Sequence, residues 1–366
     1  MYFLPYYEKD VAKVHLQENK KVLKSRYKMG GMPERMVIDM ISCTEFIPLY
    51  SEFFKYLEAK GGEAAVMDYW IHISDTSIGD KTNPNSLASK CELFGGFGGA
   101  KAYWGHTLTE EACDFIKLYD YDRKFIFSHM RHCPSKGMLN DFEHIEPYHN
   151  YCEHCNVIYS RVLKNYGIEF ARDHSKIDNA ECRSLLFEKG NEPDIDWKNL
   201  TDDEIRAMAK EDGSVEFIDL KTEDNKYLHR DFHLLGDNAL SYCGDKFGDE
   251  GVKDFLTTYV TNYYSPQIKD IKERGLVAIK EWIEKIYTVE EAIELVHFDL
   301  TENSLTVTID TSPVIEYMHG LNQEPGKYYI EETRTLYGAI ADACNFGFSL
   351  EYYNEDGGAE FRFFKQ

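Results

Sequence analysis

The sequence predicts an α+β protein made by tandem duplication, each half a helical section followed by a small β-α-β-β unit. Three observations predict it. Residues 146–159 read EPYHNYCEHCNVIY and residues 324–337 read EPGKYYIEETRTLY. The Glu-Pro pair, Tyr151 with Tyr329, Glu153 with Glu331 and Tyr159 with Tyr337 superimpose at one offset of 178. Shorter matches keep the same order: Glu110-Glu111-Ala112 with Glu290-Glu291-Ala292 at offset 180, and Gly61-Gly62-Glu63-Ala64 with Gly248-Asp249-Glu250-Gly251 at offset 187. Finally, the apolar spacing changes from helical to strand-like at the same stage of each half. A repeat this long exceeds any solenoid period and reads as two related domains.

The elements follow in order. In the first half, Glu45 to Ile73 carries apolar residues at helical spacing, interrupted at Gly61-Gly62. In the second, His229 to Tyr242 and Val252 to Tyr264 form a helix pair around a Gly244 to Gly251 turn, and Ile268 to Val296 continues helically past Pro266. A strand comes next, Phe125 to Met130 or Leu305 to Ile309. A helix follows, near Tyr151 to Tyr166 or Tyr329 to Cys344. Ile168 to Asp173 with Cys182 to Phe187, and Phe348 to Tyr353 with Ala359 to Phe364, close each unit as strands. Asn354-Glu-Asp-Gly-Gly358 between the last pair is a hairpin signal. The expected domains are residues 1–190, an acidic linker at 191–223 with at most one short helix after Thr201, and residues 224–366. Gly95-Gly-Phe-Gly-Gly99 lacks the Lys-Ser/Thr of a P-loop and reads as a turning loop.

Composition limits the function classes. Of 366 residues, 64 are acidic and 41 basic, a net charge of −23 that repels nucleic acid and anionic membranes. No apolar run approaches the ~20 residues of a membrane span. Nine cysteines without a secretory signal point to a reducing compartment, so a cytoplasmic location is expected. The partner is expected to be a small-molecule substrate, with a homo-oligomer compatible.

What fails to repeat marks candidate chemistry. His149, Cys152, His154 and Cys155 are replaced in the second copy by Lys327, Ile330, Glu332 and Thr333. Cys152-x-x-Cys155 at a helix start suits one metal ion or a redox pair, and a helix N-terminus favours the thiolate. Cys133 and Cys182 flank the motif in sequence, as does Glu146. In the second half, His229-Arg-Asp-Phe-His233 spaces two histidines as metal ligands on one helical face, although Arg230 stands where a zinc protease has its general base. The expected divalent metal, zinc first, is held by Cys152, Cys155, His229, His233, Cys182 and Cys133. His149, His154 and Glu146 are the expected proton carriers. A catalytic cysteine served by His149 or His154 is the rival arrangement. Core cysteines and exposed histidines on an amphipathic helix are the plain alternatives.

Phe247-Gly-Asp-Glu-Gly-Val252 and the stretch Cys152 to Phe187, with its Cys-Arg-x-x-x-Phe strand, resemble the L-2-amino-thiazoline-4-carboxylate hydrolase-like family. The resemblance implies hydrolytic opening of a small ring. The expected function is therefore a hydrolase acting on a small cyclic substrate at a C–N or C–C bond, cyclic diketones included. The alternative is a binding or sensor protein with a structural Cys/His site.

Overall fold

The computed structural model describes residues 45–222 and 227–366. The first 44 residues of the expected first half, and the junction of the expected linker with the second half, lie outside them. The protein is α+β. Among the described residues, no helix is long and apolar enough to cross a membrane.

Among the described residues, each half begins with a helical hairpin. Helix α1 (Phe46–Ile73) departs from helical geometry at Gly62, with φ 68° and ψ −172°. A straight helix would separate Tyr50 from Tyr69 by about 28 Å, yet their ring centroids lie 5.9 Å apart. The chain therefore folds back at Gly62. After α2 (Leu87–Phe94) and α3 (Gly96–Glu110) come β1 (Asp114–Asp120), β2 (Phe125–His132), α4 (Pro134–Asp141), α5 (Glu153–Lys164), β3 (Ile168–Asp173) and β4 (Cys182–Glu188). Helix α6 (Asp202–Ala207) and β5 (Val215–Leu220) follow. The second hairpin, α7 (Asp231–Tyr263), breaks at Gly248 with φ 72° and ψ −173°. Phe53 lies within 6.5 Å of both Tyr242 and Phe255, centroid to centroid, so the two α7 arms also lie side by side. Positive φ is a conformation that glycine alone adopts without strain. Burial of Phe53, Tyr69, Phe255 and Tyr259 supplies the apolar contact between the arms.

Helices α8 (Ser265–Arg274) and α9 (Leu276–Val289) lead to β6 (Val296–Leu300), β7 (Ser304–Ile309), α10 (Pro313–Gly320), α11 (Glu331–Ala343), β8 (Phe346–Tyr353) and β9 (Ala359–Lys365). Both sheets are antiparallel. The first runs β3-β4-β2-β1-β5 and the second β6-β7-β9-β8. Read from its far edge, the second sheet repeats the order of the first four strands of the other.

The recurrence extends to single hydrogen bonds. At the end of α3, the amides of Glu111, Ala112 and Cys113 reach the carbonyls of Thr107, Thr109 and Leu108. At the end of α9, those of Glu290, Glu291 and Ala292 reach Ile286, Thr288 and Tyr287. This is an offset of 179, one residue from the Glu-Glu-Ala match. The two hairpin breaks, Gly62 and Gly248, likewise correspond at 186 rather than 187. Similar letters had slipped by one residue against equivalent backbone.

Three expectations change. Each unit is β-β-α-α-β-β, because β1 and β6 precede the expected first strand and a short helix lies before the main one. The segment 191–223 does more than link: its helix α6 is closed by a Thr201–Glu204 capping box, and β5 adds a fifth strand beside β1. The glycine stretch turns only at Gly95 and then starts α3. A Cβ on Gly99 would sit 2.3 Å from the Cys91 backbone, so a helix crossing requires the glycine there.

The chain clusters into two compact units. Among the described residues, one comprises Lys90–Gly137 and Tyr159–His229 with the first sheet, and the other residues 45–89, Met138–Ile158 and Arg230–Gln366 with the second. The boundaries differ from the sequence halves.

Candidate functional site

The hairpins and the starts of α5 and α11 belong to the same unit and can be compared there residue by residue. Ser51 stands eleven positions before Gly62, and Asp237 eleven before Gly248. Ser51 Oγ accepts the Tyr148 amide at 2.8 Å, and Asp237 Oδ2 accepts the Gly326 amide at 2.9 Å. Around this shared bond the side chains diverge. In the first half, the Tyr50 ring packs edge-on against His154, centroids 5.4 Å apart. In the second, Gly236 replaces Tyr50 and Glu332 replaces His154. A Cβ on Gly236 would lie 3.6 Å from Glu332 Oε1, so position 236 places no ring against that carboxyl.

A cavity of about 80 Å³ opens beside Glu332, enough for several waters. Its walls come from Tyr287 of α9 and Glu290 just after it, the capped start of α10 (Ser312), Tyr329 just before α11, Glu332 and Thr333 of α11, and Tyr353 of β8. Glu332 is 9% exposed, and its carboxyl makes no hydrogen bond among the described residues. Burial, and then the charge of Asp237, hold it well above the usual carboxylate range. Burial also pushes Asp237 up to about 6, against the Gly326 amide that favours its anion. Desolvation raises Tyr329, Tyr287 and Tyr353 as well, so their hydroxyls stay protonated donors. Glu290 lies with its Oε1 3.2 Å from His233 Nε2, both side chains almost wholly buried. The site thus combines a carboxyl biased by burial toward its protonated form, phenol donors and a second carboxyl beside an imidazole.

The residues expected from the sequence are dispersed. His229 precedes α7, which starts at Asp231, so the helical spacing of the His229/His233 pair is not realised. His229 Nδ1 is held by Glu110 Oε2 at 2.7 Å. Burial opposes the Glu110 charge, but hydrogen bonds from His106 and His229 overcome it and hold the carboxyl down at about 2. His233 instead supports the cavity carboxylate Glu290. Cys133 and Cys182 belong to the other unit from Cys152 and Cys155. Cys182 Sγ takes an Arg172 Nη2 hydrogen bond at 2.9 Å. Glu146 is exposed in the loop before α5.

Two expected pairings take a different form. His154 Nδ1 lies 2.5 Å from the Tyr151 carbonyl oxygen and its Nε2 3.3 Å from Cys155 Sγ. This is a thiol, a base and an orienting carbonyl in line. His149 pairs with Glu58 at 2.8 Å. With Glu63 they are the one group of three metal-binding side chains among the described residues whose ligating atoms lie within 4.8 Å of one another. Among the described residues, the expected Cys/His ligands form no group of this kind.

Sequence reasoning missed Glu332, Glu290, Asp237 and the tyrosines Tyr287, Tyr329 and Tyr353. The signal for Glu332 was present, since it is the non-repeating partner of His154. Compared with known protein families, curated proteins and solved structures, the chain matches none.

Proposed function

We propose that the chain is a hydrolase opening a small cyclic substrate by general acid–base catalysis in the Glu332–Glu290 cavity, and that its halves arose by duplication. Glu290, positioned by His233, takes a proton from water as the oxygen adds to a ring carbonyl carbon. The ring C–N or C–C bond then breaks. Glu332 gives its proton to the departing nitrogen or carbon, and the proton on Glu290 returns to Glu332 through water, so one water is added overall. The tyrosine hydroxyls donate to the oxyanion. One observation carries this reading: a buried carboxyl without a hydrogen-bond partner, kept protonated, faces a cavity it shares with a second carboxyl.

The test is turnover of a panel of lactams, cyclic imides and cyclic diketones. Glu332→Gln and Glu290→Gln are each expected to lower kcat by about 100-fold or more while the protein stays folded. Activity within about threefold of wild type in both variants overturns the reading. Stoichiometric metal required for turnover would instead move the reaction to a metal centre.

The Cys155–His154 contact supports a second reading, a thiol nucleophile that forms an acyl intermediate. Cys155→Ser separates the two. It abolishes turnover under the thiol reading and spares it under the carboxyl reading.

A further inference from the structure

The cavity beside Glu332 is acidic and aromatic. Glu290, Glu332 and the tyrosines Tyr287, Tyr329, Tyr337 and Tyr353 line it, and among the described residues no basic side chain does. Neither the Glu332 carboxyl nor any of the four phenol hydroxyls makes a hydrogen bond among the described residues. Glu332 is nine-tenths buried, yet it borders open space. Asp237 lies near enough for its charge to act on Glu332, and its Oδ1 is buried without a hydrogen-bond partner. His233, beside Glu290, sets one imidazole against three carboxyls.

Such walls carry a negative field that the protein itself does not answer, and low-dielectric surroundings focus it. Among the described residues, neither Glu332 nor Asp237 pairs with a cationic side chain. A bare metal ion fits these carboxyls poorly. It needs ligand atoms close together, and among the described residues no three from Asp237, Glu290, Glu332 and His233 lie within 4.8 Å of one another. A cation built on carbon and nitrogen fits both kinds of wall. Its N–H groups donate to carboxyl and phenol oxygens, and tyrosine rings attract its charge. About 80 Å³ holds a group of a few heavy atoms.

We infer that this cavity binds a small organic ammonium group, its N–H bonds directed at Glu290, Glu332 and the phenol oxygens. The inference rests on the proposed reaction only in sharing its cavity: it names the charge of the substrate, not the bond that breaks. One carboxylate balances one ammonium, so Glu290 serves as the counter-ion while Glu332 keeps the proton that the reaction uses. The first half has no such place, because the Tyr50 ring packs against His154 where Gly236 leaves Glu332 open on that side.

The experiment is titration of the full chain with propylammonium chloride at ionic strength fixed by sodium chloride, following Tm, with propanol as the neutral comparison. A saturable rise in Tm is expected with propylammonium and none with propanol. In Glu332→Gln and Glu290→Gln the apparent Kd is expected to weaken by about tenfold or more. Glu332→Gln removes a buried carboxyl that has no hydrogen bond to lose, so a lost response in it is not unfolding. Glu58→Gln, a carboxyl outside the cavity, is expected to leave the response unchanged. A rise no larger than that with sodium chloride or propanol, binding undiminished in both cavity variants, or an equal loss in Glu58→Gln overturns the inference. Ammonium binding without any ring opened would uphold it and remove the proposed reaction; ring opening without ammonium binding would do the reverse.

Discussion

The two sheets share strand order and differ in one row. Phe298, Val307, Phe361 and Leu350 fill the space against the second sheet with apolar side chains, whereas Lys117, Ser128, Ser184 and Arg172 occupy that space on the first. The fold therefore does not need the polar row. A lysine buried without a counter-ion costs stability, and the same architecture shows how the row could be built without that cost. The hairpins teach the converse. There the first half closes its gap with Tyr50 against His154, and the second leaves Gly236 and an uncovered Glu332. Each half differs from plain packing at a different place, the first on its sheet and the second beneath its hairpin.

Lys117→Met tests the first departure and has the largest expected effect. Its folded value near 7 lies below the ordinary 10.5. Below pH 7 the folded state buries a charged amine, and above 10.5 neither state is charged. Wild-type stability should therefore climb as pH rises from about 7 to 10.5, and the variant should lose that slope. At pH 7 the variant should be more stable by on the order of 3–5 kcal/mol, measured by urea unfolding. An unchanged pH profile would show that Lys117 is solvated and that the row is not a cost.

Asp237→Ser makes the second half copy Ser51. Asp237 titrates at about 6 when folded against 3.8 ordinarily. The unfolded chain releases the proton first, so stability should fall as pH rises from about 4 to 6, by on the order of 3 kcal/mol. The serine keeps the Gly326 bond and should remove that fall. Glu332 is raised as well and contributes in the same direction, so Glu332→Gln should remove a further part of the slope. A wild-type stability that rises over this window would contradict both assignments.

The hairpin breaks test the correspondence itself. Gly62 and Gly248 have near-identical φ and ψ, and a Cβ at either would meet nothing within 4 Å. Alanine at each should cost about 1–3 kcal/mol for backbone strain alone, equally within error. Unequal costs would mean that the two turns bear different loads despite their shape.

Much of this was legible in the sequence for local reasons. Alternating apolar runs placed β2, β4, β7 and β9, the Asn354 to Gly358 turn placed the last hairpin, and the glycines placed both helix breaks. Strand β1 was hidden because Lys117 sits in the middle of DFIKLYD, a charge that a buried strand rarely carries. The residue that obscured the strand is the one that makes its face unusual. Strand β6 was missed because the helical reading of Ile268 to Val296 ran up to its first residue, although Glu291 turns the chain with φ 58° before it. Among site residues, the repeat pointed to position 154 but favoured the half with cysteines. The place beside Glu332 that Tyr50 takes beside His154 is held by Gly236, which is distant in sequence and carries no chemical signal of its own. Likewise, His229 and His233 looked paired through spacing, but the helix starts between them.

The smallest expected effect belongs to the exposed corner of each hairpin. In the first half His149 reaches Glu58, and Glu63 is close by. Counting from the glycine breaks, Gly244 replaces Glu58 and Asp249 replaces Glu63. The Tyr328 ring lies over Gly244, and Lys327 Nζ bonds Asp249 at 3.0 Å. One corner thus holds two carboxylates and an imidazole, the other a lysine, a carboxylate and a phenol. The His149 hydrogen bond is the main reason that the Glu58 carboxyl lies below its ordinary value. Both pairs are open to water, where screening and side-chain entropy cancel most of the attraction. His149→Ala should cost no more than about 0.5 kcal/mol, and Lys327→Ala should leave the unfolding midpoint where it was. Exchanging the pairs, with His149→Lys and Lys327→His together, should be equally silent. A loss of several degrees in Tm at either corner would show that these groups hold the hairpin tips in place, and the resemblance between the corners would then extend from shape to stability.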